Sequence, residues 1–190
     1  MKAQSRSKSQ DAITLLTDDH KKVQKLFKEF EKLVKQEDDE GKDELAQQIC
    51  AELTIHAQIE EEIFYPAARE AIEEQDMLDE AEVEHASAKE LIEQIESMRA
   101  GEELFDAKVT VLGEYVNHHI KEEQDQMFPK VKKAKVDLEA LGEELLQRKE
   151  ELMAEMGMDE LIEAGSKTPR GKAKGKQESR KSTPAHGGRH

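Results

Sequence analysis

The residue types most able to do chemistry in this chain fall in two similar segments. His56-Ala-Gln-Ile-Glu60 runs on to Phe64-Tyr65-Pro66, and His119-Ile-Lys-Glu-Glu123 runs on to Met127-Phe128-Pro129. Residues four apart on an α-helix share a face one turn apart, so each His and its Glu project into one volume. His20 precedes His56 by 36 residues, and His85 precedes His119 by 34. Aligning His20 with His85 also aligns Leu26 with Leu91, Phe30 with Ile95 and Glu31 with Glu96. Each half reads as a helix with one His, a connection, and a helix with HxxxE. A single HxxxE is weak in so acidic a chain, where it usually marks a solvated helical pair. Two copies with matching endings and upstream partners point to a buried two-metal site.

Four His and two Glu are too many ligands for one tetrahedral zinc and suit a metal pair. Two bridging carboxylates, four imidazoles and an oxo or hydroxo bridge fill about ten of the roughly twelve positions of an octahedral pair, leaving room for a small ligand. Imidazole and carboxylate without thiolate suit iron, manganese or zinc. An open position within an apolar surround is what a di-iron centre meeting dioxygen requires. Val23, Phe27, Leu53, Ile63, Ile92, Leu112 and Val116 are the candidates for that surround, and two iron ions per chain are the expectation.

These side chains must be positioned by helices. Leu16, His20, Val23, Phe27, Phe30 and Val34 follow a helical beat, with Thr17 or Asp18 in the first turn and an end within Glu37 to Gly41. A second helix from near Asp43 carries Ile49, Leu53, His56, Glu60, Ile63 and Ala67 on one stripe. The third stripe runs from Leu78 through Ala81, His85, Ile92 and Ile95 to Met98, closed by Gly101. The fourth runs from Phe105 through Val109, Leu112, Val116, His119 and Glu123 to Met127. Pro66 and Pro129 lack an amide hydrogen and crowd the preceding turn, so a kink or an end is expected at each. The fold class expected is all-α: an up-down four-helix bundle. An accessory amphipathic helix within residues 136–163 carries Leu138, Leu141, Leu145 and Leu152, with Gly142 and Gly157 as weak points.

Composition sets the remaining bounds. The net charge of −15 conceals an asymmetry: eight Lys or Arg against Glu178 between Gly165 and His190 give that tail +7, leaving −22 for residues 1–164. Such a body repels nucleic acid and anionic membrane, so any polyanion contact falls to the basic tail. Residues 164–190 lack apolar periodicity and are expected to be disordered, as are residues 1–10, a flexible arm. The lone Cys50 forms no internal disulfide and reads as a packing residue before a redox thiol. With no secretory or membrane-spanning stretch apparent, a cytoplasmic protein without membrane association is expected.

His20, His56-xxx-Glu60, His85 and His119-xxx-Glu123 together resemble the hemerythrin-like, HHE cation-binding family over roughly residues 11–135. The resemblance implies a non-haem di-iron bundle that binds or senses dioxygen or reactive oxygen or nitrogen species. Oxygen-carrying hemerythrins supply a fifth His, four residues from another on the third helix. Here those positions are Ala81 and Lys89, which argues against reversible oxygen transport and fits the four-His members. Tyr115, one turn before His119, is read as a packing residue before a ligand, and His118 as a surface or outer residue. Glu61, Glu62 and Glu122 are expected to point away from the metals. Glu82-Val-Glu-His85 matches the ExxH element of ferritin-like proteins, but no second copy exists. The alternatives are an oxidative-defence enzyme acting on peroxide or nitric oxide, and an iron-responsive interaction module using the tail.

Overall fold

The computed structural model describes residues 10–157, and among these all regular structure is helical. Helix α1 spans Ala12–Gln36, α2 Asp39–Ile59, α3 Tyr65–Ala71, α4 Gln75–Glu96, α5 Phe105–Glu122, α6 Phe128–Lys133 and α7 Leu138–Glu155. Five-residue π-helical turns, Glu60–Phe64 and Glu123–Met127, join α2 to α3 and α5 to α6. Helix α1 packs against α2 and α5, and α4 against α2 and α5, which closes the expected four-helix bundle.

Two of the long helices begin behind an Asp cap. Asp11 caps α1, its carboxylate accepting from the Thr14 amide at 3.0 Å, which puts Thr17 and Asp18 in the second turn and not the expected first. Asp38 caps α2 through the Gly41 amide at 3.1 Å, so the helix starts at Asp39, four residues before the expected Asp43. Both are side-chain acceptors for amides that the first helical turn leaves unpaired. Helix α1 stops where Glu37 turns left-handed at φ 56°, within the expected stretch.

Neither proline ends its helix. The Tyr65 amide reaches the Glu60 carbonyl and the Phe128 amide that of Glu123, five residues back. These wider turns carry the chain past Pro66 and Pro129, each in the first turn of the helix that resumes.

The interior holds two apolar clusters. One gathers Leu16, Ile59, Phe64, Leu78, Met127 and Leu145; the other Phe30, Ile49, Ile92, Phe105, Val109 and Leu112. Along α1 and α4 the His sits between a residue of the first cluster and one of the second: Leu16 and Val23 flank His20, and Ala81 and Ile92 flank His85. Helix α7 lies across α1 and α2 at the first cluster, burying Leu141, Leu145 and Leu152. Gly142 is a contact rather than a weak point: a Cβ there would stand 2.2 Å from the Gln10 carbonyl oxygen and 2.8 Å from the Ala12 amide. Residues 1–9 and 158–190, which include the arm, the end of the accessory segment and the basic tail, lie outside the described residues.

Candidate metal centre

The six side chains singled out by spacing converge between the two apolar clusters. All are buried, with His20 and Glu60 at 0% and Glu123 at 1% relative exposure. His20 Nε2 lies 3.0 Å from His56 Nε2 and 3.2 Å from Glu123 Oε2, and His56 Nε2 lies 3.2 Å from Glu60 Oε1. On the other side, His85 Nε2 is 3.1 Å from His119 Nε2 and 3.4 Å from Glu60 Oε2. His119 Nε2 is 3.6 Å from Glu123 Oε2. The two Glu60 oxygens thus face different His pairs, and Glu123 Oε2 stands near one His of each.

The outward nitrogens fix which atom of each ring faces in. His85 Nδ1 donates to Glu61 Oε1 at 2.9 Å, and His119 Nδ1 to Glu84 Oε2 at 2.8 Å. His20 Nδ1 meets the Gln124 side-chain amide at 3.0 Å, and His56 Nδ1 faces Asp19 Oδ2 at 3.6 Å. Asp19 is held from α7 by Lys149. A hydrogen on Nδ1 leaves a lone pair on Nε2, which is the arrangement of a metal-ligating His. Two such lone pairs, those of His85 and His119, face each other at 3.1 Å and repel unless a proton or cation lies between them. Two nitrogens about 2.0–2.1 Å from one cation, at near right angles, stand about 3 Å apart.

Electrostatics agree with that geometry. Both Glu60 oxygens and Glu123 Oε2 lack a hydrogen-bond partner among the described residues. Burial opposes a charge on His56, but the Glu60 carboxylate and Asp19 outweigh it and raise its pKa to about 10. His85 rises to about 9, where burial is outweighed by Glu60 and Glu61. For His119, burial yields to Glu123 and Glu84, and the shift is again upward. Burial pushes the Glu60 carboxyl up, yet His56 and His85 hold it well below the usual range. Without a cation, protons must neutralise the carboxylates, so the donor set and its unpaired oxygens fit a cation pair.

The structure adds a group that spacing did not find. The Tyr65 hydroxyl, 1% exposed, donates to Glu123 Oε1 at 3.1 Å and lies 3.2 Å from His85 Nε2 and 3.4 Å from His119 Nε2. Burial and the Glu123 and Glu60 carboxylates push its pKa well above the ordinary phenol value. In an uninterrupted α-helix, a residue five beyond Glu60 is rotated about 140° away. The π turn closes roughly one revolution in five residues and returns Tyr65 to the face of Glu60. The repeat of the Tyr65-Pro66 and Phe128-Pro129 endings was the available signal. Phe128, the matching residue, stacks on His20 with ring centroids 5.8 Å apart.

The expectation for Glu61 is corrected. Glu61 does not point away but joins His85 to Lys89, whose Nζ donates to it at 2.6 Å. Tyr115 is 51% exposed, and His118 faces Glu122 and Glu84 outside the centre. Glu82 pairs with Arg69 at 2.8 Å and takes no part in the cluster of six. A cavity of about 40 Å³ opens on all four His between Val23, Leu53, Ala57, Ala88, Ile92 and Val116. Phe27 and Leu112 pack deeper in the second cluster, and Ile63 against the first.

The family described as Hemerythrin HHE cation binding domain matches residues 11–131. The chain is 32% identical over 123 residues to a protein named DNA nickase from Nostoc sp. (strain PCC 7120 / SAG 25.82 / UTEX 2576), covering 65% of this chain and 33% of that relative. It thus spans about a third of the relative's length. The fold is similar to the crystal structure of a hemerythrin HHE cation binding domain-containing protein from Mycobacterium kansasii, with TM-score 0.66 and 21% identity over 77% of this chain and 89% of that one. Matched from the cap of α1 into α6, with both HxxxE elements inside the match, the chain belongs to the hemerythrin HHE cation-binding family.

Proposed function

We propose that this chain holds two iron ions with His20, His56, Glu60, His85, His119 and Glu123, and binds or senses dioxygen or a related reactive oxygen or nitrogen species. The observation that carries this reading is the division of the six ligand atoms into two His pairs, with Glu60 offering one unpaired oxygen to each. When bound, an iron pair supplies exchangeable coordination positions and electrons for a small ligand. The protein supplies the rest. Glu61, Glu84, Asp19 and Gln124 orient the imidazoles, and the apolar cavity has room for a molecule of diatomic size, since about 10–15 Å³ suffices for one water centre.

Tyr65 favours a second reading, an enzyme of oxidative defence. Its hydroxyl holds a proton within 3.1 Å of Glu123 and beside the ring nitrogens of two His, where a reduced oxygen species would need one. DNA nicking is not carried over: the matched stretch is a third of that relative, and residues 1–164 carry −22.

The test is to load the full chain with ferrous iron without air, record its optical spectrum, then admit air, peroxide or azide. New charge-transfer bands that shift with azide, and are absent from Glu60→Ala, are expected. Repeated peroxide turnover lost in Tyr65→Phe would select the enzyme. A spectrum indifferent to every one of these ligands would contradict the proposal.

A further inference from the structure

The ligand atoms are enclosed, yet two cavities of opposite character reach them. The apolar cavity touches the four His, and its charged lining is limited to Glu84 and to Lys89, which Glu61 engages at 2.6 Å. The other, about 220 Å³, is acidic: Glu74, Asp76, Glu80, Glu84 and Glu122 line it, with Glu123 and His119 also on its wall. Its single Lys, Lys130, is engaged by Glu74 at 2.6 Å.

We propose that this acidic cleft is the port through which divalent cations reach the buried centre, with Glu84, His118 and Glu122 as the capture site at its lip. The inference rests on the metal-centre reading above and names the route that serves it. His118 Nε2 lies 3.4 Å from Glu122 Oε1 and 3.6 Å from Glu84 Oε1, a separation that one shared cation would bridge. Glu84 belongs to both places, because its other oxygen accepts from His119 Nδ1. Beyond it, Glu123 is 1% exposed and its Oε2 has no hydrogen-bond partner among the described residues. A cation moving inward therefore passes from exposed carboxylates to a buried one without leaving oxygen and nitrogen donors.

The apolar cavity offers no such path. A hydrated cation would have to shed its water against Val23, Leu53, Ile92 and Val116, whereas an uncharged diatomic loses little there. The two openings divide the traffic by charge. A cleft lined by one sign of charge also raises the local concentration and arrival rate of the opposite ion, in a manner that salt suppresses.

The experiment uses cobalt(II) as the probe and the metal-free full chain, following the cobalt visible bands by stopped flow at low ionic strength. Glu80→Gln with Glu122→Gln should slow uptake about tenfold and flatten its salt dependence. This double variant should still reach the final occupancy of the parent, which also reports that it folds. Glu122→Lys should slow it further, and Ala88→Phe, which narrows the apolar opening, should leave uptake unchanged. Parent-like rates in the acidic variants, or slowing confined to Ala88→Phe, would overturn the port while leaving the centre intact. A parent chain that never takes up two cations would instead remove the centre.

Discussion

His85 is gripped at both nitrogens, Nε2 beside Glu60 and Nδ1 on Glu61. Outer acceptors of this kind set the tautomer and basicity of a ligating imidazole, and losing one typically costs about 10–100-fold in cation affinity. Glu61→Gln should therefore weaken cobalt(II) binding within that range, measured by competition with a chelator, while the helical content stays the same. An unchanged affinity would mean that Glu61 only anchors Lys89. The raised His pKa values make a second prediction. In the metal-free chain, His56 at about 10 against an ordinary 6.5 contributes stability that is full below pH 6.5 and vanishes as pH climbs through about 10. Glu60, held below 4.5, contributes the same pairing above pH 4.5 and loses it as pH falls. Denaturant midpoints of the metal-free chain should accordingly fall between pH 7 and pH 10. Since His56 and His85 carry protons at pH 7, cation binding there should release protons, seen as buffer-dependent heats in calorimetry.

The helices that carry HxxxE were legible because an α-helical stripe is readable from apolar spacing alone, and the His residues fall on that stripe. Tyr65 was not, since a π turn breaks the phase on which such a reading depends. Glu61 and Glu84 were hidden for a different reason. Each serves a His on another helix, and periodicity within one helix says nothing about its neighbour's rings. Helix α7 was visible as an amphipathic stripe, but not its seat, which depends on backbone meeting backbone at Gly142. Gly142→Ala should push α7 off the start of α1, destabilising the chain by about 1–3 kcal/mol in denaturant unfolding. Because Lys149 on α7 holds Asp19, and Asp19 faces His56, the same substitution should weaken cation binding modestly. A wild-type unfolding midpoint in this variant would show that α7 seats differently.

As a whole, the bundle places a strongly polar centre between two apolar clusters and encloses it in an acidic body. The arrangement explains the otherwise costly burial of two carboxylates and four imidazoles: cations supply the opposite charge that the fold lacks. Cys50 takes no part, being buried with burial and then Glu96 pushing its thiol up to about 12. No helix among the described residues is long and apolar enough to cross a membrane. Binding to the folded state stabilises it by mass action, so metal loading and global stability should rise together. The most direct measurement is an anaerobic titration of the chelator-stripped chain with ferrous iron, followed by metal analysis after gel filtration. About two iron ions retained per chain, falling to one or none in Glu60→Ala, is the expected result. A parent chain that retains no iron, or one whose iron content is indifferent to Glu60, would contradict the account.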